Sequence, residues 1–165
     1  MTKKSERSLS SIQANETYTK ISYHIKEIYD SNISSLHGCE ISIEEFEAML
    51  RSDDKDEKNF LITYNELPAA WLKLNGLLDS YTGWISMLAV LPTMQRRGIG
   101  KWTIKFAEKS LKEMGKKQIL LKTTNDNSIA INFYLSNGYR IKDYKSYITS
   151  DGIKRDGITF IKQLD

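Results

Sequence analysis

Val90-Leu91-Pro92-Thr93-Met94-Gln95-Arg96-Arg97-Gly98-Ile99-Gly100-Lys101 is the stretch on which the fold reading turns. Before it lies an apolar, strand-like run, Trp84–Val90. After it, Ile99, Trp102, Phe106, Ala107, Leu111 and Met114 recur on one helical face while Lys105, Lys109 and Lys112 occupy another. A strand therefore feeds a basic amphipathic helix through a loop holding two glycines and three cations. The first turn of a helix exposes N–H groups without intrahelical partners and carries partial positive charge, which suits an anion. Gly98 and Gly100 let oxygen-bearing ligands approach the main chain, and Arg96, Arg97 and Lys101 add charge. Two other phosphate loops fail on composition. A Walker loop requires Gly-Lys-Ser/Thr, but Gly100-Lys101 is followed by Trp102. A dinucleotide fingerprint needs a small residue at Thr103 and a parallel strand ahead of the loop.

Working outward, the elements alternate between the two periodicities. Leu9–Ile12 reads as a first strand, within a segment 1–16 that is either strand or flexible. Tyr18, Ile21, Ile25, Ile28 and Tyr29 follow at helical spacing. Ser42 with Glu45 is a capping-box pattern that opens a second helix through Phe46, Met49 and Leu50. Phe60–Tyr64, Ala69–Leu74 and Trp84–Val90 are strand-like runs joined by short turn-rich links, so an antiparallel meander is expected. Gly115 stops the central helix, with Lys116 and Lys117 at its negative end. Ile119–Leu121 reads as a buried strand and Asn127–Asn137 as a short helix stopped by Gly138. Two late strands, about Tyr139–Thr149 and Ile158–Lys162, flank a turn at Asp151-Gly152. The order predicts an α/β (α+β) mixed sheet in one domain spanning 1–165, with a ligand-binding core over 60–140.

Several function classes drop out on bulk properties. With 24 Lys+Arg against 21 Asp+Glu, the net charge of +3 is too small to imply nucleic-acid binding. The run Arg96–Lys122 also lacks the interleaved aromatics of single-strand binders, so no nucleic acid is expected. One cysteine, Cys39, excludes an intramolecular disulfide and a cysteine-based metal site. No stretch approaches the roughly 18 apolar residues of a membrane span, and Met1–Gln13 lacks the apolar core of a secretion signal, so a cytoplasmic protein is expected. Charge is unevenly placed: Glu40–Lys58 carries eight acids against three bases, and Met94–Lys122 nine bases against two acids. Each run reads as a solvated face, or as a basic side for a phosphate-rich ligand and an acidic side for a cationic one.

Gln95-x-x-Gly98-x-Gly100, with Leu88-Ala89-Val90-Leu91-Pro92 ahead of it, resembles the cofactor loop of the GCN5-related N-acetyltransferases (GNAT). About thirty residues later, Asn127-Ser128-Ile129-Ala130…Tyr134…Gly138-Tyr139 is similar to that family's second motif. The likeness runs from about Phe60 to the C-terminus and is generic before it. It implies a GNAT-like acyl-CoA N-acyltransferase fold, a mostly antiparallel central sheet splayed at the cofactor and flanked by helices. It also implies transfer of acetyl from acetyl-CoA, as co-substrate and with no metal, to a primary amine by direct attack. Backbone amides of Gln95, Arg96, Arg97, Gly98, Ile99, Gly100 and Lys101 would hold the pyrophosphate. Leu88, Ala89 and Val90 would pair with pantetheine by β-augmentation, with the Leu88 N–H on the thioester oxygen. Asn127 would bond the pantetheine amide or cap its own helix. Tyr134 would donate to the departing thiolate, or pack as a core tyrosine.

The family's glutamate, four residues ahead of the Leu88 position, is here Trp84, so the base stays open among Glu66, Asp79 and a water chain. Trp84 and Tyr81 are candidates for an acceptor pocket. His24 and His37 read as ordinary, partly exposed histidines. The acceptor is a small-molecule amine or a protein N-terminal amine, and the resemblance leaves a homodimer through the late strands open. The competing reading is a non-catalytic acyl-CoA-binding regulatory module.

Overall fold

Leu61, Trp71 and Ala89 face one side of the sheet, and Ile62, Leu72 and Leu74 face the other, so adjacent strands must be covered on both surfaces. The computed structural model, which describes residues 8–13, 18–51 and 54–164, meets that demand with two helical layers. The elements in chain order are β1 (Leu9–Gln13), α1 (Tyr18–Asp30), α2 (Ile33–Leu36), α3 (Ile43–Leu50), β2 (Lys58–Tyr64), β3 (Leu67–Asn75) and β4 (Thr82–Val90). They continue through a 3-10 turn at Pro92–Met94, then α4 (Ile99–Glu113), β5 (Gln118–Thr124), α5 (Ser128–Ser136), β6 (Arg140–Ile148) and β7 (Lys154–Gln163). The sheet order is β1-β2-β3-β4-β5-β7-β6. Every pairing is antiparallel except β4 with β5, which the α4 crossover makes parallel.

On one face, α4 buries Ile99, Ile104, Ala107 and Leu111, and α5 adds Tyr134, against Ile62, Leu72, Leu74, Ile85, Ile119, Leu121 and Phe160. On the other, Ile21, Ile25, Ile28 and Tyr29 of α1 join Phe46 and Leu50 of α3 over Leu61, Trp71 and Ala89. Tyr29, Phe46 and Trp71 form a triangle of rings with centroids 5.5–6.4 Å apart. The Trp71 indole N–H, fully buried, donates to Asn59 Oδ1 at 3.0 Å, which leaves that donor satisfied.

The acidic stretch before β2 is engaged in local structure. Ser42 and Glu45 form the expected capping box. Glu47 accepts from Ser22, Asp56 accepts from the Gly76 and Leu78 N–H groups, and Glu57 pairs with Lys73 at 2.7 Å. Lys116 is 3% exposed rather than solvated, and its ammonium donates to the carbonyls of Leu77 and Asp79. Among the described residues, no helix is long and apolar enough to cross a membrane.

Two features place the site. Lys73 pairs with Met87 and Leu74 with Ile85, so Ser86 is an extra residue that bulges β4. Beyond the bulge the β4–β5 ladder ends: Ile85↔Leu121 is its last pair, although both strands continue. The sheet is split there.

Candidate functional site

Strand β4 stays paired to β3 as far as Val90, so only one of its edges is freed by the split. In an antiparallel ladder, alternate residues turn their main-chain groups to the same neighbour. The Leu91 N–H donates to Ala69 O at 2.9 Å, which fixes that alternation and turns the main chains of Leu88 and Val90 away from β3, toward the gap. Side-chain donors mark the same edge, since Val90 O accepts from Asn32 Nδ2 and Gln95 Nε2, each at 3.2 Å. The Leu88 side chain packs the other way, against the core beneath α4. Leu88 thus offers a main-chain donor to an edge that no strand occupies.

The loop turns sharply after the 3-10 segment. Arg96 (φ 60°) and Gly98 (φ 83°) both adopt left-handed backbone, a conformation that in anion-binding nests turns successive N–H groups toward one another. Gly98 occupies the N-cap of α4, and no side chain caps that helix. Its first-turn N–H groups therefore keep their donor capacity. Arg96, Arg97 and Lys101 are exposed, and among the described residues none forms an ion pair.

The two glycines have different reasons. A Cβ on Gly98 meets nothing within 4 Å, so only its φ demands glycine; Gly100 is helical, and a Cβ there would rest 3.5 Å from the Phe133 ring. Gly98→Ala is therefore expected to lose about 1 kcal/mol to strain, whereas Gly100→Ala is neutral or gains up to about 1 kcal/mol in helix propensity. In thermal melts Gly98→Ala should fall below the parent, by roughly 2–4 °C per kcal/mol, and Gly100→Ala should stay level with it or rise above it.

Tyr134 lies on α5 at 8% exposure, with ring centroids of Phe133, Tyr139 and Phe160 at 5.4, 6.0 and 5.6 Å. Burial alone pushes its phenol up to about 12, and among the described residues its hydroxyl has no hydrogen-bond partner. Tyr134 is thus a packed core tyrosine whose hydroxyl is left without a partner among the described residues. Asn127 caps α5, accepting from the Ala130 N–H at 3.1 Å, while its Nδ2 donates to Ser35 O at 3.3 Å.

The base candidates separate. Asp79 caps the Tyr81 and Thr82 N–H groups at the start of β4, the end remote from the loop. Tyr81 lies there as well, 52% exposed, and does not join the split. Glu66 sits exposed in the β2–β3 turn, two strands away. Trp84 pairs with Leu120 one step before the split, close against Gly76.

His37 is partly exposed, as expected, and is held in place by several neighbours. Its side chain is 13% exposed, in left-handed backbone at the end of α2. Its Nε2 lies 2.9 Å from Thr124 Oγ1 and 3.0 Å from Asp126, and Nδ1 lies 3.8 Å from Asp151. Arg155 ties Asp126 and Asp151 together at 3.0 and 2.6 Å. The Thr124 hydroxyl, His37 and Arg155 hold Asp126 down to about 2, and Arg155 holds Asp151 well below the usual carboxylate range. Asn32 and His37 thus bring the α2 segment onto the ends of β4 and β5. The four-residue helix and its contacts had no sequence signal beyond Gly38, which allows a close turn against Tyr29. Among the described residues, no group of three or more His, Cys, Asp and Glu could hold a metal ion.

A family model described as "Acetyltransferase (GNAT) family" matches residues 24–139. The fold is similar to the ribosomal-protein-S18-alanine N-acetyltransferase of Escherichia coli, at 25% identity, TM-score 0.70, covering 96% of this chain and 94% of that one. An acetyl transferase from Salmonella typhimurium that modifies the N-terminal serine of ribosomal protein L7/L12 shares the fold at TM-score 0.80, 16% identity and 95% coverage of both chains. So does spermidine N-acetyltransferase from Vibrio cholerae, solved with CoA and spermine, at TM-score 0.78 and 16% identity, covering 97% of this chain and 96% of that one. No curated protein sequence matches the chain.

Proposed function

Because the chain belongs to the GNAT acetyltransferase family, we propose that it transfers an acetyl group from acetyl-coenzyme A to a primary amine within a ternary complex. One observation carries the reading: the edge of β4 at Leu88–Val90, unpaired with β5, leads through the Leu91–Gly98 loop to the uncapped start of α4. An extended amide-bearing arm ending in a diphosphate matches that pair of features, strand edge to arm and helix terminus to diphosphate. Acetyl-coenzyme A supplies an activated thioester. The chain's residues do the rest. The Gln95 N–H is taken by Pro92 O at 3.3 Å, so N–H groups from Arg96 to Lys101 hold the phosphates, and Arg96, Arg97 and Lys101 add charge that no internal acid consumes. The Leu88 N–H is the donor for the carbonyl oxygen as it gains negative charge, a contribution on the order of 3–4 kcal/mol for one positioned donor. Tyr134, held neutral by burial, donates to the departing sulfur. A thiolate is a weaker base than this phenolate, so Tyr134 keeps its proton and acts through a hydrogen bond.

Release of free thiol from acetyl-coenzyme A in the presence of primary amines tests the proposal. Amine-dependent release supports it, and its absence with every amine contradicts it. The lack of any acid on Trp84–Val90 favours a second reading, a non-catalytic acyl-CoA-binding module, which would show tight binding with no thiol release. The three loop cations give a separate expectation. Arg96→Glu with Arg97→Glu should weaken coenzyme A binding about tenfold at low salt and flatten its salt dependence, because exposed charges act through a screened field. Titration at two ionic strengths checks this.

A further inference from the structure

We propose that Asn32 and His37 are positioning residues for the transfer, holding α2 as a brace that fixes how far apart β4 and β5 stand where the thioester is placed. The inference rests on the transferase reading above and explains what keeps its cleft open.

Beyond Ile85↔Leu121 the two strands are no longer partners. Among the described residues, no hydrogen bond passes directly between Ser86–Val90 and Lys122–Thr124. From there β4 is held by β3 on one side, and β5 by β7 on the other. Nothing in the sheet itself sets the gap. The Leu88 N–H meets a thioester oxygen only if the arm carrying that oxygen fits between the strands.

Helix α2 crosses the gap. At one end, Asn32 Nδ2 donates to Ile28 O at 2.8 Å and to Val90 O at 3.2 Å, tying the close of α1 to the freed edge of β4. Val90 turns its main chain the same way as Leu88, so this anchor lies two residues, about 6.6 Å, from the proposed oxyanion donor. At the other end, His37 Nε2 lies 2.9 Å from Thr124 Oγ1, three residues past the last β5 pair, and 3.0 Å from Asp126 Oδ1. Between the two anchors, Ser35 O accepts from Asn127 Nδ2 at 3.3 Å. Ile33 and Leu36 rest on the same core cluster as Met87 and Leu91. From Asn32 to His37 a helix advances about 7.5 Å, more than the roughly 4.8 Å between paired strands. A turn of that length suits strands that have parted and keeps them from closing.

The backbone singles out His37 as well. It takes the left-handed position that ends α2 (φ 50°), although Gly38 follows it and would enter that region without strain. The strain brings the imidazole over β5. The charged groups facing its ring come from other elements: Asp126 after β5, Asp151 in the β6–β7 turn, and Arg155 on β7, which bonds both acids. With a carboxylate beside each ring nitrogen, neither nitrogen is left to face the cleft.

The test compares Asn32→Ala, His37→Ala, the double variant and His37→Gln by thiol release from acetyl-coenzyme A. Each is read well below its own thermal midpoint, so that unfolding is not counted as lost turnover. The acceptors are spermidine, an alanyl peptide amide and an N-acetylated peptide with one lysine, and the one on which the native chain is fastest is used throughout. Each single alanine variant should lower kcat roughly 10- to 100-fold, since a displacement near 1 Å costs about that much. Coenzyme A, gripped at the start of α4, should bind within about twofold of native. A brace freed at either end is freed altogether, so the double variant should fall within about threefold of the weaker single variant. His37→Gln keeps an amide that can bond Thr124 or Asp126 and should retain at least about a third of native kcat. Unchanged kcat in both single variants would overturn the assignment. So would effects that multiply in the double variant, or that fall on coenzyme A affinity and kcat alike, because independent packing defects behave that way. A rising pH limb of kcat/KM that vanishes in His37→Gln would also overturn it, by revealing a base. Coenzyme A binding by the native chain without thiol release from any of the three amines would instead sink the transferase reading itself, and this assignment with it.

Discussion

Tyr134→Phe is expected to lower kcat roughly 100-fold while leaving coenzyme A affinity within about twofold. The expectation follows from how the residue is built in. Its ring is wedged among Phe133, Tyr139 and Phe160, and phenylalanine keeps those contacts. Its hydroxyl has no partner among the described residues, so removing it strands no donor and should leave the melting temperature level or slightly higher. Only an interaction that strengthens as sulfur departs is lost, and such a loss falls on kcat. The pH dependence follows in sign. Burial raises this pKa to about 12 from the ordinary 10, so the protonated donor persists throughout the working range. No descending limb of kcat between pH 8 and 10 should trace to Tyr134. A limb near 10 in the native protein that disappears in the phenylalanine variant would show the phenol to be far more exposed than its packing indicates.

Gly83→Ala is expected to destabilise the fold by about 1–3 kcal/mol, lowering the melting temperature by roughly 2–4 °C for each kcal/mol. Gly83 pairs with Ile119 in the closed part of the β4–β5 ladder, where α4 lies directly on the strand. A Cβ there would stand 2.6 and 2.8 Å from the two Leu111 methyl groups. Leu111 is fully buried, so it has no free volume into which to rotate. Either Leu111 leaves its rotamer or α4 lifts from the sheet. Because the first turn of α4 is the proposed anion site, the second response would weaken coenzyme A binding as well. Denaturation and titration on one variant separate the two responses, and an unchanged midpoint would show the contact to be soft.

The loop proposed to hold the cofactor was legible in the sequence because its determinants are local. A strand, a left-handed glycine and a basic amphipathic helix are adjacent in the chain, so Val90–Lys101 specifies its own shape. The same holds for Ser42 with Glu45 and for Asn127, whose caps act over three residues. The contacts of α2 were far less legible. His37 meets Thr124, Asp126 and Asp151 from positions 87 to 114 residues away, and no period or spacing encodes such a meeting. The acids of Glu40–Lys58 suggested a cationic partner as a run of charge. Among them, Asp56 holds the β3–β4 link and Glu57 pairs with Lys73, tasks that depend on tertiary placement. Ser86 likewise gave no sign of the bulge that sets where β4 leaves β5.

In the proposed function, coenzyme A is held chiefly by main-chain donors at the start of α4 that grip its diphosphate. Titration calorimetry of coenzyme A into the folded chain, beside pantetheine, which shares the arm but lacks the diphosphate, measures that directly. Saturable coenzyme A binding that weakens as salt is raised, with pantetheine bound at least about 100-fold more weakly, is the expected result. No uptake of coenzyme A, or equal affinity for the two, would contradict it.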